Sequence, residues 1–195
     1  MTFRNIIGGN LEHYLNENKF GVNYEVDNFV KNHGKEIIQS LLLIKRPFIN
    51  SNIVGELSPS FKRKNTYDKL YHPRLIINGK YMLDKTSQLN VKSFSGNLRG
   101  FTTLNVPLKK QITIYDLLKN TKSYYGVDKI NNYNVSSNNC QHLLIAMLKS
   151  NGLLNDENKT FIKQDTDDSI KGLEPKITPI TDLANKFHPV VGGFV

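Results

Sequence analysis

The chain has 195 residues and a mass of 22.3 kDa, which is the size of one domain with short extensions. Its longest aliphatic run, Leu41–Ile44, is far shorter than the ~20 apolar residues that a bilayer-spanning helix needs. The first ten residues also lack the charged and then apolar order of a secretory signal. We therefore expect neither a transmembrane segment nor a signal peptide. The formal charge of +9 favours anionic partners, namely nucleic acid, a phospholipid surface or an acidic protein, without choosing among them.

The first part of the chain predicts an arm followed by a helix. Residues 1–33 are polar, with an Asn-rich stretch, and predict a loosely attached N-terminal arm. Residues 34–160 are expected to form the core domain. At its start, Lys35–Arg46 carries apolar residues at helical spacing and ends before Pro47, which predicts the first helix.

A meander of strands is predicted next. Leu70–Ile77 and Lys80–Asp84 flank Asn78-Gly79, the pair best suited to a two-residue turn with positive φ at both central residues. Leu89–Phe94 and Phe101–Val106 continue the meander, separated by a turn that contains glycine.

The second half of the chain predicts helices. Thr113 is a good N-cap, with Asp116 three residues on, for a helix that ends before Gly126. A further helix is expected over Cys140–Asn151, where apolar residues recur at helical spacing. Residues 161–195 predict a C-terminal tail of short helices with a Gly-rich end. This order of elements predicts an α+β fold with a small antiparallel sheet packed against helices.

The single cysteine, Cys140, stands at the start of a predicted helix. The unpaired N–H groups of a first helical turn and the positive end of the helix dipole favour the thiolate, which is the nucleophilic form. Asn138 or Asn139 would cap this helix. A lone cysteine excludes an intrachain disulfide and fits a reducing compartment. The alternative is that Cys140 is simply the first apolar residue of a core helix.

A cysteine nucleophile needs a base within hydrogen-bond reach, and histidine is the usual choice. Among the five histidines, His72 is the candidate because it lies in a predicted strand, where a rigid backbone fixes the imidazole. His142 lies two positions after Cys140, about 200° around the helix, and is expected to pack or to cap. The alternative for His72 is a partly exposed strand residue without a catalytic role.

Asp84 is the candidate for orienting the imidazole, because it lies across the predicted turn from His72. A two-residue turn would pair residue 72 with residue 85, which places the side chains of His72 and Asp84 on opposite faces. Asp84 serves His72 only if the register is shifted, and Pro73 makes an irregularity plausible. A surface salt bridge from Asp84 to Lys85 or Arg74 is the alternative.

The run Asn-Asn-Cys-Gln-His at 138–142, preceded by a histidine on a strand with an aliphatic end, resembles the circularly permuted papain-like (NlpC/P60) superfamily. That superfamily includes lecithin:retinol acyltransferase-like proteins, which carry an Asn-Cys-Glu-His box, and PPPDE-type peptidases. The resemblance is greatest to members from large DNA viruses, virophages and Polinton-like elements, and it covers roughly residues 68–188. Gln141 stands where the acyltransferase-like group has glutamate, and Pro73 interrupts the usual aliphatic strand.

The resemblance implies a permuted papain-like thiol hydrolase with Cys140 as nucleophile, His72 as base and a polar orienter at or near Asp84. The leading interpretation is a viral peptidase or isopeptidase that acts on a protein or peptide substrate, in the host cytoplasm or packaged in the virion. Two alternatives stay open: a lipid acyl hydrolase or acyltransferase, and a non-catalytic virion component that binds DNA or capsid proteins. An adenovirus-type protease is disfavoured because it would place glutamine several residues before the cysteine, where this chain has Asn and Ser.

Further patterns bear on partners and cofactors. The cluster Lys62, Arg63 and Lys64 predicts a basic patch for nucleic acid or phospholipid, with a solvated cationic surface as the alternative. The Gly-Gly pairs near both termini resemble viral processing sites, and flexible turns explain them equally well. The sequence contains no phosphate-binding loop and no zinc-ligand spacing, so we expect neither a cofactor nor a metal.

Overall fold

The computed structural model describes residues 20–47, 71–134 and 137–163. The fold is α+β, with a five-stranded antiparallel sheet and five described helices. The strands are β1 Leu41–Pro47, β2 Tyr71–Ile77, β3 Tyr81–Lys85, β4 Leu89–Ser93 and β5 Thr102–Val106. The helices are α1 Tyr24–His33, α2 Ile114–Tyr125, α3 Val127–Asn131, α4 Cys140–Ser150 and α5 Asp156–Ile162. In this part of the chain no helix combines the length and apolar composition of a membrane span.

The strand β1 corrects the helix predicted over Lys35–Arg46. The sheet order is β4-β3-β2-β1-β5, so β1 is hydrogen-bonded on both sides, by β2 and by β5. The predicted meander therefore holds for β2 to β4 and is wrong for β5, which pairs with β1, the strand predicted as a helix. Leu43 and Ile44 point to opposite faces, and both are fully buried. A strand buried on both faces is continuously apolar, and over a short run this pattern cannot be told from that of a buried helix.

The β2–β3 hairpin has a register one residue away from the predicted one. Ile77 lies opposite Tyr81, so the loop contains three residues, 78–80, instead of two. Asn78 and Gly79 do adopt the positive φ expected of them, at 54° and 64°. The added residue reverses the faces of β3 relative to the predicted pairing, because successive strand residues alternate between faces.

Tertiary contacts of Asn78 explain the longer loop. Its side-chain oxygen accepts hydrogen bonds from the backbone of Gln39 (2.8 Å) and Ser40 (3.2 Å), and its amide donates to the carbonyl of Ile37 (3.0 Å). The loop is therefore held against the segment that leads into β1. A sequence pattern for isolated hairpins does not contain this contact.

The predicted N-terminal arm is wrong for its last ten residues. Tyr24–His33 forms α1, with Asn23 as N-cap, and Val26 and Phe29 are buried in the core. The Asn23 side chain also donates to the carbonyl of Leu89 in β4 (2.9 Å). The segment reads as polar because only one face of α1 is buried. Residues 1–19 of the predicted arm lie outside the described residues.

The helices after the sheet begin and end near the predicted positions. Thr113 and Asp116 form the expected reciprocal capping box of α2, and the helix ends at Gly126. Leu117 of α2 and Leu143 and Met147 of α4 are buried in one core together with Leu75 and Leu83 of the sheet. The helix α5 crosses the predicted boundary at residue 160, and residues 164–195 of the predicted tail lie outside the described residues.

Asn78→Ala tests whether this loop fixes the hairpin. The variant loses three hydrogen bonds. It also places alanine at positive φ, where its Cβ is strained and no side-chain hydrogen bond compensates. We expect the free energy of unfolding to fall by about 2 kcal/mol in urea denaturation. Asn78→Gly loses the same bonds without the backbone penalty, and its loss is expected to be about 1 kcal/mol smaller. Equal losses in the two variants would contradict the backbone contribution.

Candidate functional site

The changed register brings His72, Arg74 and Asp84 to one face of the sheet. Continuing the pairing of Leu75 with Leu83 by one residue sets Asp84 opposite Arg74, and His72 lies two residues before Arg74 on the same side. Asp84 Oδ1 contacts His72 Nε2, and Arg74 Nε donates to Asp84 Oδ2 at 3.1 Å. The three side chains are 4–10% exposed.

The alternative of a surface salt bridge from Asp84 is wrong because the ion pair that Asp84 forms is buried. Asp84 does pair with Arg74, but both groups are buried, and the same carboxylate also contacts His72. Lys85, the other proposed partner, belongs to the opposite face by strand alternation and has different contacts. Asp84 therefore joins two buried cationic or potentially cationic groups.

The surroundings of Asp84 keep it ionised. Burial by itself raises the pKa of a carboxyl group. Here the charges of His72, Arg74 and Lys92 and the hydrogen bond with His72 outweigh burial and hold the pKa of Asp84 well below its usual range. The carboxylate is thus available as an acceptor for the imidazole throughout the physiological pH range.

Cys140 lies at the end of the β2–β3 pair. The β2–β3 ladder runs from the pair Leu75 and Leu83 to the loop. The first residues of β2 and the last residues of β3 are therefore not paired with one another. Cys140 is the first residue of α4, is 5% exposed, and lines a small pocket with Pro73, Asp84 and Lys85. The thiol therefore lies where groups from both faces of the sheet meet.

His72 interacts with both Asp84 and Cys140. Burial by itself lowers the pKa of His72, but the charges of Cys140 and Asp84, with hydrogen bonds to both groups, raise it to about 10. A nearby anion and a hydrogen bond to the charged form both favour an imidazolium. The arrangement supports an imidazolium held between the Asp84 carboxylate and the sulfur of Cys140.

Asn139 holds the start of α4. Its side-chain oxygen accepts from the N–H groups of Gln141 (2.9 Å) and His142 (3.2 Å). His142 Nδ1 lies 2.8 Å from the same oxygen, so the prediction that His142 packs or caps is confirmed. The cap fixes the position of Cys140 at the first turn of the helix.

Lys85 is a residue of the site that the sequence did not indicate. Its side chain is 2% exposed, and its ammonium donates to the carbonyl of Lys129 and to Asn138 Oδ1 (3.0 Å). It directly follows the predicted strand Lys80–Asp84, next to the acidic candidate, where an exposed lysine is the ordinary interpretation. Only the three-residue loop assigns Lys85 to the face that packs against the helices.

Two basic side chains and an aromatic ring lie beside the buried carboxylate. Arg46 of β1 is paired with His72 in the sheet. The guanidinium carbons of Arg46 and Arg74 lie 5.2 and 6.0 Å from the ring centre of Phe101. These contacts fix the orientation of Arg74, which in turn holds the second oxygen of Asp84.

The predicted basic patch and processing sites lie in other parts of the chain, whereas a metal site can be looked for in the described residues. The basic cluster Lys62, Arg63 and Lys64 lies outside the described residues, as do both Gly-Gly pairs. Across residues 20–47, 71–134 and 137–163, no group of three or more His, Cys, Asp or Glu side chains is arranged to hold a metal ion.

Comparisons with known proteins find no match for this sequence. No family model matches the sequence, and neither a curated protein nor a solved structure is similar enough to count as a match. The functional assignment therefore depends on the geometry of the site and on the resemblance in the cysteine box.

Proposed function

We propose that this protein is a thiol hydrolase of the permuted papain-like type, acting on peptide or isopeptide bonds through Cys140, His72 and Asp84. The observation that carries the proposal is the position of His72, whose imidazole interacts with a cysteine thiol and with a buried carboxylate. A nucleophile, a base and a group that orients the base are the three parts that cysteine hydrolases require.

In the first half of the reaction, the Cys140 thiolate attacks the carbonyl carbon of the scissile bond. A C–S bond forms, and the carbonyl oxygen takes up the negative charge of a tetrahedral intermediate. His72, as imidazolium, then gives its proton to the leaving amine while the C–N bond breaks. The products of this half are a free amine and a thioester on Cys140.

The start of α4 offers the N–H of Cys140 as a donor to the oxyanion. The N–H groups of Gln141 and His142 both donate to the Asn139 side chain, so neither is available to the oxyanion. The N–H of Cys140 stands before them, at the positive end of the helix dipole. In enzymes of this type, one such donor contributes about 10²–10³ in rate.

In the second half, water hydrolyses the thioester. His72 takes a proton from the attacking water, the C–S bond breaks, and Cys140 leaves as thiolate while the acid product departs. Asp84 holds the imidazole through Nε2, so the other ring nitrogen, Nδ1, serves the thiol and the water. Arg74 keeps the carboxylate in place and ionised.

A peptide or isopeptide substrate, a viral origin and a location in the host cytoplasm or virion follow from the resemblance in the cysteine box, and they remain predictions. The site geometry supports acyl-thioester chemistry in general. The bond that is cleaved is therefore the part of the proposal that needs a direct assay.

Alkylation of Cys140 tests the pairing with His72. We expect iodoacetamide to label Cys140 at pH 6 at least about tenfold faster than a free thiol, because the imidazolium stabilises the thiolate. His72→Ala is expected to remove this acceleration. The rate constant is measured by mass spectrometry over a range of pH.

His33→Ala serves as the matched control, since His33 lies at the other end of β3, where it contacts Tyr81 and Glu36. The rate at which iodoacetamide labels Cys140 in His33→Ala is expected to equal that of the wild type. A wild-type rate equal to that of a free thiol would overturn the proposed function.

Asp84→Asn tests the orienting role of the carboxylate. The amide keeps the size of the side chain but loses the charge that stabilises the imidazolium, and we expect kcat/KM to fall by about 10²–10⁴. Asp128→Asn, at an exposed position of α3, is the matched control and is expected to keep full activity. Unchanged kinetics in Asp84→Asn, with a wild-type melting curve, would remove Asp84 from the mechanism.

The substrate class is tested with two kinds of substrate side by side. We expect the protein to release amine from Gly-Gly peptides or ubiquitin-like conjugates, and Cys140→Ala to be inactive on them. Phospholipid vesicles are the comparison. Release of fatty acid by the wild type, without cleavage of any peptide, would replace the peptidase assignment by the lipid acyl hydrolase.

A further inference from the structure

Lys85 is a buried cation whose hydrogen-bond partners within the described residues are uncharged. Its Nζ donates to the Lys129 carbonyl and to Asn138 Oδ1, and lies 5.6 Å from the ring centre of Tyr125. The ion pairs found among the described residues do not include it. A buried charge is costly unless an opposite charge compensates it. The environment of Lys85 therefore calls for an anion nearby.

Cys140 is the acidic group that acts on Lys85. Lys85 and Cys140 line the same small pocket. Burial lowers the pKa of Lys85 to about 8, and the charge of Cys140 acts in the opposite direction, in favour of the ammonium. A Coulomb interaction is mutual, so a negative charge that forms on the Cys140 sulfur during the reaction is stabilised by the ammonium.

The same ammonium also holds the segment that precedes Cys140. Asn138, two residues before the thiol, accepts from Lys85 Nζ (3.0 Å) and from the Tyr125 hydroxyl (2.6 Å) through one oxygen. Its amide donates to the carbonyls of Lys129 (3.0 Å) and Asn132 (2.7 Å). Lys85 thus ties α3 and the approach to α4 to the end of β3.

We propose that Lys85 is a positioning residue for Cys140: its ammonium fixes the segment before α4 and supplies the positive charge that keeps the thiol in its reactive form. This inference rests on the proposed function, in which Cys140 is the nucleophile. Lys85 and His72 then act on the sulfur together, with His72 as the proton carrier and Lys85 as a fixed charge.

Other charged groups around the thiol do not duplicate this role. Arg74 is engaged by Asp84, and burial raises the pKa of Tyr125 to about 12, so its hydroxyl stays neutral. The Nζ of Lys129 lies 5.7 Å from the ring centre of Tyr125, and Lys129 is exposed. Among the described residues, His72 and Lys85 act on Cys140 directly. Asp84 and Arg74 are linked to it through His72, and Tyr125 and Lys129 through Lys85.

The test is the pH profile of Cys140 alkylation by iodoacetamide in the full chain. We expect Lys85→Met to slow alkylation at pH 6 by about tenfold and to move the rising part of the profile to higher pH, because the fixed charge is lost while the stem is kept. Lys85→Arg keeps the charge and is expected to stay within about threefold of wild type. Tyr125→Phe removes one bond to Asn138, leaves the charge, and is expected to keep the wild-type profile.

The outcomes separate this inference from the proposed function. Fast labelling of the wild type with an unchanged profile in Lys85→Met overturns the role of Lys85 and leaves the hydrolase intact. A wild-type rate equal to that of a free thiol overturns both. If circular dichroism shows that Lys85→Met does not fold, Asn138→Asp places a carboxylate against the ammonium instead. Slower alkylation at pH 6 in Asn138→Asp supports the inference, and an unchanged profile overturns it.

Discussion

The central constraint of this structure is a buried carboxylate, Asp84, placed between an imidazole and a guanidinium. A buried charge is tolerated only where partners of opposite charge and hydrogen bonds compensate for lost hydration. His72 and Arg74 supply that compensation from the neighbouring strand, and Arg74 is in turn packed over Phe101. The positions of β2 and β3 relative to one another are therefore tied to the charge pattern of the site.

The hairpin loop decides whether this arrangement exists. With two residues in the loop, Asp84 would face the helices and Lys85 the opposite side. With three residues, Asp84 joins His72 and Arg74, and Lys85 turns towards Cys140 and Asn138. One residue in a surface loop thus assigns an anion and a cation to their separate places around the thiol.

The site combines rigid elements with a short connecting segment. The sheet fixes His72 and Asp84, while α4 fixes Cys140 through the Asn139 cap. The segment before α4 is held by side-chain bonds of Asn138 and by an isolated backbone bridge between Asn134 and Asn138. A buried lysine at the junction, Lys85, connects these parts through its bonds to Asn138 and to the carbonyl of Lys129.

The sequence by itself determined the local features: the capping box of α2, the cap and start of α4, the positive φ of Asn78 and Gly79, and the candidates Cys140, His72 and Asp84. These depend on neighbouring residues and on the chemistry of single side chains. Only the tertiary structure decided that Leu41–Ile44 is a central strand, that α1 belongs to the core, and that Lys85 is buried. Those outcomes depend on which surfaces cover each segment. The register of the hairpin belongs to the same class, because Asn78 is held by backbone groups about forty residues earlier in the chain.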